Sequence, residues 1–97
     1  MNYLVRVEIY DADYNQYDLL HEKMLAIGFR RTLTRTITRK VYDLPDGTYF
    51  GKSSLSPIKI CAKIKSIAEP LSRKSPSIIV CRFYDDDCAF ALFPTVD

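Results

Sequence analysis

The chain has 97 residues, of which 47% are apolar, and its 14 lysines and arginines against 12 acids leave a net charge of only +2. That is enough chain for one domain around one core, and too balanced a charge for a protein that coats nucleic acid along its whole surface. No apolar run approaches the roughly 18 residues of a membrane span, and MNYLVRVEIYD mixes charge into its apolar residues instead of forming a secretory h-region. The expectation is a soluble, cytoplasmic protein.

Residues 3–10 alternate. Tyr3, Val5, Val7 and Ile9 lie on one side, with Arg6, Glu8 and Tyr10 on the other, as in a half-buried strand. Asp11 or Asp13 then supplies a helix cap. Tyr17, Leu20, Met24 and Ile27 recur at three- and four-residue spacing, which predicts a helix over about 14–27. Gly28 stands where a left-handed cap belongs, with Phe29 able to fold back on the last turn.

From Phe29 to Tyr42 the sequence is strand-like but longer than the usual 5–6 residues, so a bend or bulge is expected near residues 34–37. Leu44-Pro45-Asp46-Gly47 is turn chemistry, and Thr48 to Lys52 returns as the second strand of a hairpin. Ser56-Pro57 opens a second helix with the stripe Ile60, Ile64, Ile67 and Leu71, which Pro70 should end or bend. Ser77 to Tyr84 reads as a strand, Asp85–Asp87 as an acidic turn and Cys88 to Phe93 as a final short strand. The order is β-α-β-β-α-β with an extra C-terminal strand. It predicts an α+β, ferredoxin-like single domain over residues 1–97, with two helices on one face of an antiparallel sheet.

Charge is distributed in blocks. Lys23, Arg30, Arg31, Arg35, Arg39 and Lys40 face no acid between residues 23 and 42, while residues 1–22 and 85–97 are each net −4. A threonine-rich, β-prone run bearing this charge suits a row of phosphates, or an edge strand that avoids unwanted pairing. Three cysteines, Cys61, Cys81 and Cys88, without a CxxC pair and with one histidine, give no zinc site; they read as free thiols, and no cofactor is expected.

No GxGxxG, P-loop or GxSxG is present. Asp11 and Asp13 offer oxygen ligands for Mg²⁺, with helix capping as the structural alternative. His21, one position off the apolar stripe of the first helix, is a candidate general base toward a ribose 2′-hydroxyl; its alternative is boundary packing. Seven tyrosines without a tryptophan offer base-stacking surfaces where they reach a wet face.

VRVEI, Tyr17, Leu20-His21, Met24, GFRRT from Gly28 to Thr32, and YDLPDGTY from Tyr42 to Tyr49 together resemble the GhoS family, antitoxins of type V toxin–antitoxin systems. The resemblance implies a ferredoxin-like fold similar to the small CRISPR adaptation nuclease and to VapD, often paired as a homodimer. It implies a metal-independent endoribonuclease acting on toxin messenger RNA. Arg31, His21 and Tyr42 occupy matching motif positions. The segment LTRTITRKV departs from the pattern, since relatives often carry a glycine-containing polar loop there.

The leading expectation is therefore a single-stranded RNA-binding protein in which Arg31 and His21 carry cleavage. Arg30, Arg35, Arg39, Lys40 and Tyr42 would contact the RNA. Two alternatives come from other classes: a non-enzymatic interaction module of a mobile element or phage, and a metal-dependent phosphodiesterase on Asp11 and Asp13.

Overall fold

The computed structural model describes residues 1–96. It is an α+β protein built on antiparallel strand pairs. Strands β1 (Asn2–Glu8), β2 (Phe29–Arg30), β5 (Thr48–Lys52) and β6 (Ser77–Phe83) form one sheet in the order β2-β5-β1-β6. Strands β3 (Thr32–Thr34) and β4 (Val41–Asp43) form a separate two-stranded sheet. Helix α1 (Tyr14–Ala26) follows β1, and α2 (Pro57–Ala68) follows β5.

The alternation in β1 places the core as expected. Tyr3, Val5, Val7 and Ile9 are buried together with Leu20 and Met24 of α1 and Ile60, Ile64 and Ala68 of α2. Both helices therefore cover the same face of the sheet. Burying a Val, Leu, Ile or Met side chain of this kind stabilises the fold by about 1.5–3 kcal/mol.

The helix ends follow from local chemistry. Asp13 accepts the Gln16 N–H at 3.1 Å, while the Gln16 side chain accepts the Asp13 N–H at 2.7 Å, a reciprocal capping box. At the other end Gly28 adopts φ +89°, and its N–H donates to the Leu25 carbonyl at 2.9 Å. Ser56 caps α2 through the Lys59 N–H, with Pro57 as its first residue. Pro70 falls in a single 3₁₀ turn, Glu69–Leu71, that ends the second helix.

Two expectations are corrected. The long basic strand does not exist as one element. It breaks at Arg31, whose carbonyl accepts the Leu44 N–H at 3.0 Å, and then reverses. The reversal is closed by Arg35 N–H to Lys40 O at 3.0 Å and Arg39 N–H to Arg35 O at 2.9 Å, with Arg39 at φ 60°.

The final strand is likewise absent: Cys88 to Phe93 carries no strand, and only an isolated bridge joins Tyr42 to Pro94. Hydrogen bonds from Asp43 N–H to Phe93 O (2.9 Å) and from Thr95 N–H to Val41 O (3.0 Å) tie this segment to β4 rather than to the main sheet.

Arg35 explains the detour. Its guanidinium donates to the Cys88 carbonyl at 3.1 Å, approaches the Asp85 carboxylate at 3.9 Å and lies 4.7 Å from the centre of the Phe90 ring. Phe90 in turn meets Tyr42 edge-on at 4.9 Å. Arg35→Ala is expected to destabilise the protein by about 1–3 kcal/mol. Amide exchange should accelerate over residues 85–95 while α1 and β1 stay protected; uniform exchange along the chain would contradict this clamp.

Candidate active site

Three elements meet where β1 ends. The turn after β4 brings Gly47, at φ 78°, against β1, and the Val7 N–H donates to the Gly47 carbonyl at 2.8 Å. The N-terminal half of α1 supplies the opposite wall. The break after β2 delivers Arg31 from the side. The resulting open cavity, about 600 Å³, is lined by Arg6, Glu8, Asp13, Tyr14, Tyr17, Asp18, His21, Arg31 and Asp46 among others.

His21 and Arg31, expected together on sequence grounds, do meet here. Arg31 Nη1 lies 3.3 Å from His21 Nε2, and His21 Nδ1 lies 2.6 Å from the Tyr49 hydroxyl. A guanidinium can only donate, so Nε2 must present its lone pair and the ring proton resides on Nδ1, donating to the Tyr49 oxygen. The ring is also flanked by Tyr17, with centroids 6.5 Å apart.

Partial burial lowers the His21 pKa from its ordinary 6.5, and the Arg31 charge lowers it further, against the opposing pull of Asp18 and Asp46. The imidazole is therefore neutral at pH 7. Tyr49 is fully buried, and burial pushes its phenol up to about 12 despite the nearby Arg31 charge. It serves as a neutral partner that fixes the ring orientation. A neutral imidazole with an oriented lone pair beside a guanidinium has the parts of a general base with an adjacent anion-stabilising group.

The cavity is bipolar. Arg6 and Arg31 provide positive charge, whereas Glu8, Asp13, Asp18 and Asp46 provide negative. A phosphodiester fits only at the arginine pole. The acids can accept the amino and imino protons of a base edge, and Tyr14, 82% exposed, offers a ring on which a base can stack.

The remaining sequence candidates are dispersed. Arg30 pairs with Phe50 on the sheet face away from the helices, and lines a shallow hollow with Lys52. Arg35 is committed to the C-terminal segment, and Tyr42 packs on Phe90. Arg39 and Lys40 are exposed at the end of the β3–β4 hairpin. Asp13 caps α1, Asp11 is exposed at φ 52°, and among the described residues no group of three or more His, Cys, Asp or Glu side chains is arranged to hold a metal ion.

Tyr14 is one of the seven tyrosines put forward for stacking, whereas the partnership of Tyr49 with His21 and the place of Asp46 are contributions that sequence reasoning did not assign. Tyr49 reaches His21 across 28 residues, a pairing with no local signature. Among the described residues no helix is long and apolar enough to cross a membrane. Compared with known proteins, the chain matches no family model and no curated protein.

Proposed function

We propose that the protein binds single-stranded RNA in this cavity and cleaves it without a metal ion, as a cytoplasmic antitoxin directed at toxin messenger RNA. The observation that carries the reading is the Arg31–His21–Tyr49 chain at the wall of an open cavity. The motifs resembling the GhoS family supply the antitoxin part of it. The sheet order, with one helix after β1 and one after β5, supports a ferredoxin-like fold into which the β3–β4 hairpin has been inserted.

In this mechanism a ribose 2′-hydroxyl displaces Arg31 from His21 Nε2, which accepts its proton. The 2′-oxygen attacks the adjacent phosphorus and forms a new P–O bond. The bond from phosphorus to the 5′-oxygen breaks, the departing oxygen takes a proton from water, and the hydroxide so formed removes the proton from His21 Nε2, restoring the neutral base. Arg31, released from the imidazole, stabilises the charge on the phosphorane oxygens. The products are a 2′,3′-cyclic phosphate and a free 5′-hydroxyl.

End-labelled single-stranded RNA incubated with the protein in EDTA tests this. Arg31→Ala is expected to slow cleavage about 100-fold or more, the usual loss for one transition-state charge contact. Equal cleavage by both proteins would mark a contaminating nuclease and remove the catalytic claim. Activity that appears only with Mg²⁺ and leaves a 5′-phosphate would transfer the reaction to carboxylates.

A further inference from the structure

The shallow hollow on the sheet face opposite the helices contrasts with the bipolar cavity. Strand alternation puts Phe50 and Lys52 of β5 on that face, because Tyr49 and Gly51 pair with Val5 and Tyr3 on the core side. Arg30 of β2 pairs with Phe50, which makes Arg30 and Lys52 diagonal neighbours across two strands. Diagonal pairs lie roughly 7–8 Å apart, within reach of one another for long side chains. Thr34 adds a hydroxyl from β3.

The hollow encloses about 310 Å³, and its lining residues, these four with Gly28 and Gly51, include no acid. Arg30 and Lys52 are both exposed. Among the described residues neither of them forms an ion pair, the two pairs present being Arg35–Asp85 and Lys65–Glu69.

We propose that this hollow is a second phosphate site, which holds a backbone phosphate of single-stranded RNA away from the one being cleaved. Charge selects the occupant: two cations without an acid, and a hydroxyl able to donate, suit the oxygens of one phosphate. A base finds little there. Phe50 is only 7% exposed and offers too little ring to stack on, and no carboxylate is present to accept a base's amino protons. The contact therefore positions the strand without reading its sequence.

This inference rests on the RNA reading above and extends it. Arg30 and Arg31 are consecutive, yet Arg31 lines the main cavity and Arg30 the hollow. A strand with its scissile phosphate at Arg31 that runs on past β2 is gripped at two points. Once the first contact forms, the second is intramolecular, so long RNA gains over short fragments. The hollow also sets the side on which RNA leaves the cavity.

A fluorescein-labelled 2′-O-methyl oligonucleotide, which lacks the attacking hydroxyl and stays intact, measures binding apart from cleavage. Arg30→Gln/Lys52→Gln is expected to bind it about tenfold more weakly than wild type, with the slope of log affinity against log salt shallower by about 0.7, the value of one single-strand phosphate contact. Lys59→Gln/Lys63→Gln removes the same charge from exposed positions on α2 and should leave affinity and slope unchanged. The loss should be equal for uridine-only and adenosine-only strands.

Equal binding by wild type and the Arg30/Lys52 variant, an equal loss in the α2 variant, or a loss confined to one sequence each overturns the proposal. The expected loss, found in a protein that leaves unmodified RNA intact, would remove the catalytic reading and keep this site. Wild-type protein without affinity for RNA at low salt would overturn both.

Discussion

His21→Ala is expected to reduce RNA cleavage by about 10²- to 10⁴-fold while leaving RNA binding nearly unchanged. The imidazole is the one neutral base in the cavity with its lone pair fixed, and Arg31 retains the phosphate when the ring is removed. Tyr49→Phe separates catalysis from positioning. It deletes the 2.6 Å bond to Nδ1 but not the base, so kcat should fall about tenfold with KM unchanged. If His21→Ala cleaves as fast as wild type, the cavity is a binding site without chemistry.

The pH dependence follows from the same contacts. His21 acts as a base only when neutral, so cleavage should rise through a midpoint below 6.5 and be level at neutrality. Stability carries the same sign. The folded chain takes up this proton less readily than the unfolded chain, so the contribution of His21 is complete above pH 6.5 and declines as pH falls toward its lowered folded value. For Tyr49 the sign reverses: its neutral form is favoured by the fold, and that contribution is lost as pH rises from 10 toward about 12. Proton NMR of the imidazole C–H resonances checks the first shift. A midpoint at or above 6.5 would mean that the ring is not half-buried beside Arg31 as described.

Elements set by short-range rules were legible in the sequence. The Asp13 and Ser56 caps, Gly28, and the apolar stripes of α1 and α2 each use contacts within a few residues, which a linear reading can follow. The bend expected near residues 34–37 falls where the chain turns, but the full reversal into a β3–β4 hairpin was not legible, because RRTLTRTITRK contains neither a glycine nor an Asn-Gly or Asp-Gly pair to announce it. Its loop instead closes through Arg39 in the left-handed region, an unfavourable conformation for arginine that the flanking Arg35–Lys40 pairing holds in place.

The C-terminal strand was over-read for a related reason. The short, wholly apolar run from Cys88 to Phe93 looks like a strand, but the Arg35 clamp acts across some 50 residues. The same limit applies to the site. His21 and Arg31 could be nominated from chemistry and motif, whereas the split of Arg30 and Arg31 between different surroundings depends on where the strand breaks. That break is fixed by the turn at Pro45–Thr48 and by the Arg31–Leu44 hydrogen bond, both products of tertiary packing.

Gly51→Ala is expected to be the most damaging single-methyl change in the sheet, and to disable the cavity without lining it. Gly51 sits on β5 between Tyr3 of β1 and Phe29 of β2. A Cβ there would lie 2.7 Å from Phe29 Cδ1 and 2.8 Å from the Gly28 carbonyl oxygen, both far inside contact distance. Phe29 is only 3% exposed, so its ring has no empty space to enter, and the carbonyl belongs to the α1 cap. The strain must separate β2 from β5, a pairing of just two residues, Phe29 with Gly51 and Arg30 with Phe50.

Overpacking of this kind costs about 1–3 kcal/mol. In urea it should lower the midpoint with little change in slope. Arg31 immediately follows β2, so the same shift moves its guanidinium away from His21. Gly51→Ala should therefore lose cleavage nearly as fully as Arg31→Ala at temperatures where it is still folded. Gly28→Ala is the comparison, because its Cβ meets nothing within 4 Å and only its φ of +89° is unfavourable. That change should cost about 1 kcal/mol and leave cleavage intact. Wild-type stability and activity in Gly51→Ala would show that β2 does not approach β5 this closely, and that Arg31 is held by something other than the strand it follows.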